Sequence, residues 1–369
     1  MSDRIPLVDL AAQHASIESE LRDALTRAAG RTDFILGESV AAFERAFAEF
    51  SGSAHCVGVA NGTDALELIM RAAGIGPGND VILPANTFVA TAMAVVRAGA
   101  RPVVVDCEDE TFLIDPSATK LALDAGARAV IGVHLYGQMA SVEDLAKICA
   151  EAGALFVEDA AQAHGARQNG RGPATFGIAA GVSFYPAKNL GALGDGGAVL
   201  TNDESLASKV EALRNYGSTV KYEHPDVGFN SRLDSLQAEV LLTKLRHLAR
   251  WNDARRAAAR RYDEMLTGIP GVRTPFVVPG NEHVWHLYVI RVPNRDHVLR
   301  ALNDSGIGAA IHYPTPIHLQ GALRSLNYSP GDFPNAERAA AEILSLPLFP
   351  EITPAQQARV VGAIARALA

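Results

Sequence analysis

Cysteine is scarce in this 369-residue chain. The three present, Cys56, Cys107 and Cys149, are odd in number, far apart and form no CxxC pair. Neither a disulfide framework nor a zinc knuckle is indicated, no metal site is expected, and a reduced, cytoplasmic setting fits best. Runs of Lys and Arg are missing too, and the net charge is −8, which argues against nucleic acid as the main partner. The most apolar stretch, from Val81 to Val96, is interrupted by Pro84, Asn86 and Thr87 and stopped by Arg97. It reads as strand, turn and helix, so no membrane partner is expected. The opening MSDRIPLVDL lacks the apolar core of a signal peptide. No internal repeat or low-complexity segment occurs. What remains is a globular composition, 48% hydrophobic and 20% charged, in a chain long enough for a large domain and a smaller one.

The pattern that is present alternates. Residues 17–29 and 38–50 read as helices, the second with Phe43, Phe47 and Phe50 at helical spacing. HCVGVA, DVILPA, RPVVVD, ARAVIGVHL and ALFVED then read as strands, with helices running to Met70, from Thr87 to Ala98 and over SVEDLAKICAEAG. The strands are continuous apolar runs, as in a mostly parallel sheet covered on both faces, and the alternation with helices predicts an α/β fold. GVSFYP and GGAVLTN are further strands, flanking the Gly-rich NLGALGDGG, followed by a helix from Glu204 to Arg214. A long helix from Leu233 to about Leu266 reads as a spine between two lobes. Beyond it, HVWHLYVIRV and GAAIHYP read as strands, and RDHVLRALNDSG, 335–345 and 354–368 as helices of an α+β cap. The expected division is 1–245 for the large domain with its N-terminal helices, and 246–369 for the linking helix and the small domain.

Three places in the first domain can serve one ligand. Asn61-Gly62-Thr63 lies between a strand and a helix, where free N–H groups and the helix dipole suit a phosphate. Alone, Thr63 reads as readily as a helix cap. Asp159, in EDAAQ, follows a buried strand at the end where such sheets bind ligands. A carboxylate there needs a partner, and a protonated pyridine nitrogen would be one; a metal or a structural role would also satisfy it. Lys188, in SFYPAKN, follows an apolar strand. A partly desolvated amine there can lose its proton and attack a carbonyl. A single lysine is ordinarily a solvated surface residue, so the case rests on the three occurring together and in this order.

Together they resemble the fold-type I enzymes that use pyridoxal 5′-phosphate (PLP). NGTDAL, PANTFVAT, VEDAAQAHGA, SFYPAKNLGALGDGGA, GFNSRLD and LSLPLFPEIT further resemble the DegT/DnrJ/EryC1/StrS sugar aminotransferases, over nearly the whole chain. The resemblance implies a large domain with a mostly parallel mixed sheet flanked by helices, and a small C-terminal α+β domain. It implies Lys188 as the residue that holds PLP as a Schiff base and moves protons, and Asp159 as the partner of the pyridinium nitrogen. Gln162 would touch the ring hydroxyl and Phe88 would stack on the ring. Gly62, Thr63 and Ser183 would bind the phosphate, with Asn230 reaching the phosphate of a neighbouring subunit's cofactor, so that a homodimer shares its active sites.

The same resemblance implies transfer of an amino group from L-glutamate, through the pyridoxamine form of the cofactor (PMP), to a nucleotide-linked keto-sugar. KNLGALGDGG and IHYPTPIHLQGA look most like relatives that aminate C3 of a 6-deoxyhexose, with dTDP the first carrier and UDP the second. Tyr185, His312, Tyr313 and Lys221 are the expected sugar contacts, Lys221 across the dimer. His312 and Tyr313 could instead pack a lobe interface, and Lys221 could be solvated. The alternatives are a C4 or aminocyclitol aminotransferase, and a non-catalytic regulatory protein on the same fold. A dehydratase is disfavoured, because such relatives carry His where this chain has Lys188.

Overall fold

A computed structural model describes residues 4–369; residues 1–3 of the expected first domain lie outside the described residues. Three helices open the chain: α1 (Leu10–Ala15), α2 (Glu18–Arg31) and α3 (Glu38–Ser51). The alternating region follows as β1 (His55–Val59), α4 (Gly62–Ala72), β2 (Asp80–Pro84), α5 (Val89–Arg97), β3 (Arg101–Val105), α6 (Pro116–Asp124), β4 (Ala129–Val133), α7 (Val142–Ala152) and β5 (Leu155–Asp159). Then come β6 (Arg167–Gln168), β7 (Ala179–Ser183), β8 (Gly197–Thr201), α8 (Glu204–Arg214) and the 32-residue α9 (Ser235–Leu266). The chain ends in β9 (Asn281–Glu282), β10 (Tyr288–Arg291), α10 (Arg295–Asp304), α11 (Pro334–Glu342), β11 (Ile343–Leu346) and α12 (Pro354–Leu368).

Seven strands form one sheet in the order β1-β8-β7-β5-β4-β2-β3. Every neighbouring pair is parallel except those made by β8, which runs against both β1 and β7. The mixed, mostly parallel α/β sheet expected from the apolar runs is therefore present. Alternate residues go to opposite faces: Val81, Leu83, Ile131 and Val157 join one core, while Ile82, Val130, Phe156 and Val182 join the other. Both faces are buried, so both positions of each pleat are apolar and the strands lose their alternation.

The register decides where chemistry can sit. Asp159 pairs with Val133 and Gly181, and Ser183 and Val59 both pair with Gly197. The carboxyl ends of β1, β4, β5 and β7 thus share one edge of the sheet. Asp159 ends β5 at this edge, and the turns that follow β1, β4 and β7 carry Asn61-Gly62-Thr63, His134 and Lys188. Helix α4 leaves this edge pressed against β7: a Cβ on Gly62 would lie 2.7 Å from the Cβ of Ser183.

A separate core gathers Ala258, Tyr262 and Leu266 of α9 with β10, β11, α10 and α12, whereas Ala238, Leu241 and Leu248 of α9 pack under the large sheet. Several expectations need correction here. In HVWHLYVIRV only Tyr288–Arg291 pairs as a strand; Trp285 has φ 48°, and the backbone before it bonds to the turn after β4 instead (Val284 N to the Gly137 carbonyl, 3.0 Å). GAAIHYP makes only the isolated bridge Ala310–Ser345, because the segment bends to the cavity and Pro314 and Pro316 offer no donor. The helix expected over 335–345 stops at Glu342, since Ile343–Leu346 pairs with β10. Helices α1 and α6 and strand β11 lack a sequence signal strong enough to be expected. Among the described residues no helix is long and apolar enough to cross a membrane.

Candidate active site

A cavity of about 710 Å³ opens at the carboxyl edge of the sheet and is roofed by the segments around His286 and His312. All the expected site residues line it except Asn230 and Lys221.

Asp159 ends β5 and is nearly sealed, at 7% exposure. Its Oδ2 accepts from the Thr91 hydroxyl at 2.7 Å and its Oδ1 from the Ala161 N–H at 3.1 Å. Thr87 sits 2.8 Å from Thr91, one helical turn away, so Thr87 donates to Thr91 while Thr91 donates to Asp159. The carboxylate accepts only neutral donors, and a buried anion calls for a cationic one. The charge of Lys188, on the same cavity wall, and that of Asp159 act on each other.

Lys188 ends a tight turn in which its N–H donates to the Tyr185 carbonyl at 2.8 Å. Burial pushes its amine down to about 8, and the charge of Asp159 opposes the fall. The loop beyond is held from α9, where Lys244 donates to the Gly191 carbonyl at 2.7 Å. Three imidazoles sit close enough to feel Lys188. Burial first, and then the lysine's charge, lowers His164 to about 3, His312 to about 4 and His286 well below its ordinary value. All three are neutral at pH 7, so the amine is the titrating base of this wall.

At the other end, α4 points its N-terminus into the cavity. Asn61 caps it by accepting from Asp64 N–H at 2.9 Å, which leaves the N–H groups of Gly62 and Thr63 without intrahelical acceptors. With the Ser183 hydroxyl beside them, they form a cradle that a Cβ on Gly62 would fill. An anion-binding helix end, a buried carboxylate lacking a cationic donor and a desolvated amine match the phosphate, ring nitrogen and aldehyde of PLP in turn. The residues present fit that cofactor.

Phe88 caps α5 and is half exposed to the cavity, its ring 5.1 Å from that of Tyr313. Gln162 is fixed by the Tyr136 N–H, 2.6 Å from its Oε1, and donates to the Tyr313 hydroxyl at 3.1 Å. One N–H of its amide stays available to a ligand. Tyr185 is exposed toward the opening, and His312 is oriented by the Ser345 hydroxyl, 2.8 Å from its Nδ1. Lys221 and Asn230 are exposed outside this cavity. The Lys221 amine lies 5.0 Å from the Tyr222 ring, and Asn230 bridges to Asn215.

Sequence reasoning missed Thr91, His134 and His286. The i, i+4 spacing of Thr87 and Thr91 behind Phe88 is a signal for the first. His134 donates to Glu158 at 2.8 Å, because its Nδ1 already accepts from Ala140 N–H at 3.2 Å. Glu158 also takes the N–H groups of Ala174 and Gly177, so this pair braces the floor of the cavity. His286 sits in a run that reads as strand interior, which hid it.

Comparison with known proteins agrees with this geometry. The family model described as DegT/DnrJ/EryC1/StrS aminotransferase matches residues 15–365. The chain is 46% identical to a pleiotropic regulatory protein of Geobacillus stearothermophilus, covering 98% of each. It is 42% identical to the dTDP-3-amino-3,4,6-trideoxy-α-D-glucose transaminase of Streptomyces venezuelae, covering 98% of this chain and 95% of that one. The crystal structure of S. venezuelae DesV in complex with a ketimine intermediate superposes with a TM-score of 0.96 at 42% identity, over 99% of this chain and 98% of that one. The chain belongs to the DegT/DnrJ/EryC1/StrS aminotransferase family.

Proposed function

We propose that the protein moves an amino group from L-glutamate to a nucleotide-linked 3-keto-6-deoxyhexose, dTDP-linked by preference, giving a 3-amino-3,6-dideoxyhexose. The observation that carries it is the desolvated Lys188 amine beside the buried Asp159, at the end of a cavity large enough for a sugar. The name of the S. venezuelae relative supports amination at C3 and a dTDP carrier. The family is PLP-dependent, and bound PLP supplies an electron sink that lets nitrogen and a proton move at the substrate carbon.

The residues divide that work. Lys188 holds the cofactor through its Nζ and, once released, carries a proton to and from the substrate carbon; an amine near 8 is poised to do both. Asp159, oriented by Thr91 and the Ala161 N–H, would meet the ring nitrogen. Gly62, Thr63 and Ser183 would hold the phosphate, Phe88 would cover the ring face, and the free N–H of Gln162 would serve the ring hydroxyl. Tyr185, His312 and Tyr313 line the sugar side. Asn230 and Lys221 serve the site of a second subunit, which makes the working unit a homodimer. Residues 1–245 hold the cofactor and 246–369 close the sugar side, a division supported by the change of core along α9. The buried, free thiols of Cys56, Cys107 and Cys149 suit a reducing cytoplasm.

The name of the Geobacillus relative favours a second reading, a regulatory protein on the same fold. Purified protein with glutamate and dTDP-3-keto-6-deoxyhexose separates the readings. A 3-amino sugar, located by NMR, supports the proposal. Amination only of a 4-keto sugar refutes the C3 assignment, preference for the UDP-linked sugar refutes the carrier, and no turnover on any keto-sugar leaves the regulatory reading standing.

A further inference from the structure

Asn189, directly after Lys188, is 1% exposed, and both ends of its side-chain amide are hydrogen-bonded. Its Nδ2 donates to the Val284 carbonyl at 2.8 Å and to Asn252 Oδ1 at 2.9 Å. A backbone carbonyl can only accept, so the amide is locked with Nδ2 on that side and Oδ1 on the other. The Oδ1 faces His286 Nδ1 at 3.2 Å. An amide oxygen can only accept, so Nδ1 carries the proton. The rest of the network holds this frame still: Asn252 donates to the His164 carbonyl and His164 to the Ser183 carbonyl, each at 2.8 Å. Arg255 reaches the carbonyls of Trp285, at 3.2 Å, and His286, at 3.5 Å, from behind.

The second nitrogen of His286 follows from the first. With Nδ1 protonated and the ring neutral, Nε2 is a bare lone pair. No protein donor reaches it among the described residues. It is also not sealed, as the unpartnered Nδ1 of His164 is, and His286 lines the cavity. The cavity therefore presents a fixed acceptor whose tautomer is set by a carbonyl two hydrogen bonds away. Such a nitrogen rewards an O–H or N–H and repels an oxygen lone pair.

The two substrates of the reaction differ in just this respect. Glutamate has a single donor group, the amine that reacts at the cofactor; its other polar groups are carboxylates, which only accept at neutral pH. A hexose carries hydroxyls away from its reacting carbon. We infer that His286 is a specificity-determining residue whose Nε2 accepts a hydrogen bond from a hydroxyl of the sugar substrate, and that Asn189 sets its tautomer. The inference rests on the aminotransferase reading above. It assigns His286 to one half of the reaction: the sugar half depends on it and the glutamate half does not.

Two substitutions separate the nitrogens. In His286→Asn the amide nitrogen falls near Nδ1, keeping a donor for Asn189 and removing the acceptor from the cavity. In His286→Gln the amide oxygen can stand near Nε2, keeping an acceptor and losing the Asn189 bond. Each PLP-loaded protein is mixed with glutamate alone, following loss of the visible-edge band. The PMP-loaded form is then mixed with dTDP-3-keto-6-deoxyhexose, following the band's return. Titration calorimetry with dTDP-3-amino-3,6-dideoxyhexose and with dTDP alone gives a readout independent of turnover. His286→Asn is expected to weaken the amino-sugar about tenfold, the scale of one unmade buried hydrogen bond. It should raise KM for the keto-sugar similarly, with dTDP binding and the glutamate half unchanged. His286→Gln is expected to stay within about threefold of wild type for the amino-sugar. Unchanged sugar binding in His286→Asn overturns the assignment, as does equal damage to both halves by both variants. If the wild-type protein itself loses no band with glutamate, the aminotransferase reading fails and this inference falls with it.

Discussion

At Lys188 burial and charge pull in opposite directions, and burial wins. A protonated amine has no lone pair, so capture of the PLP aldehyde needs the neutral form. An ordinary lysine becomes neutral only near 10.4, whereas this amine does so near 8. The rate at which PLP-free protein regains its visible-edge band should therefore climb as pH rises through about 8 and level off above it. A rate still climbing in proportion to hydroxide at pH 9.5 would mean that the amine is not desolvated. Lys188→Ala should form no band at any pH. Asp159 tests the other end of the ring. Asp159→Ala removes the carboxylate proposed to face the ring nitrogen but leaves only two neutral donors, from Thr91 and Ala161, without their acceptor. Turnover should fall about 10²–10³-fold, the scale of losing one directed electrostatic partner. The melting temperature of the PLP-free protein should stay within a few degrees of wild type.

At the scale of elements, α4 and β7 approach so closely that only glycine fits at the first helical position. Gly62→Ala would place a methyl carbon 2.7 Å from the Ser183 Cβ, where the helix end and the strand end form the proposed phosphate cradle. Either the helix or Ser183 must move, and the two N–H groups move with it. PLP affinity, measured by equilibrium dialysis, should fall at least about tenfold, with a stability cost of about 1–3 kcal/mol from overpacking. An unchanged affinity would remove Gly62 from the phosphate site. This turn was legible in the sequence because its signal is local: a strand, a capping Asn, a Gly and a helix in one short run. The sheet was legible for the same reason, each strand being a short apolar run bounded by turn residues. What escaped is non-local. His286 lies in ten residues that alternate like a strand, and its ring is oriented by a tertiary bond to Asn189, 97 positions away in sequence. Strand β11 was hidden because its partner β10 lies far upstream and its own four residues follow α11 without a turn. GAAIHYP, residues 308–314, reads as a strand because β-branched and aromatic residues also suit an extended segment lining a cavity.

For the whole molecule, the question is why two expected site residues stand outside the cavity of their own chain. Asn230 and Lys221 belong to the exposed loop and turn after α8, where Tyr222 is 83% and Val227 93% exposed. Nearby, the surface is apolar in a way a solitary chain rarely tolerates. Phe34, Ile35 and Leu36 are exposed beside Leu236, tied together by the Ser235 N–H on the Phe34 carbonyl at 2.9 Å, and Leu193 joins through its N–H on Gln237 at 2.8 Å. Met93 and Val96 of α5 are exposed too, on the helix that Phe88 of the cavity caps. Patches of this kind mark association, and a two-fold dimer would cover the same patch on both chains while exchanging their loops. Mixed subunits test the exchange directly. On the proposed exchange, Lys188→Ala disables the site on its own chain and Asn230→Ala the site of its neighbour, so each variant alone should be nearly inactive. In a hybrid dimer both lesions fall on one site and the other site has neither. Unfolding and refolding an equal mixture makes half of the dimers hybrids, so about a quarter of all sites should recover. Recovery to that level, with none in separately refolded samples, places Asn230 in the partner's site. If Asn230→Ala is active by itself, or the mixture stays dead although size-exclusion chromatography shows mixed dimers, each chain completes its own cavity and Asn230 is only a turn residue.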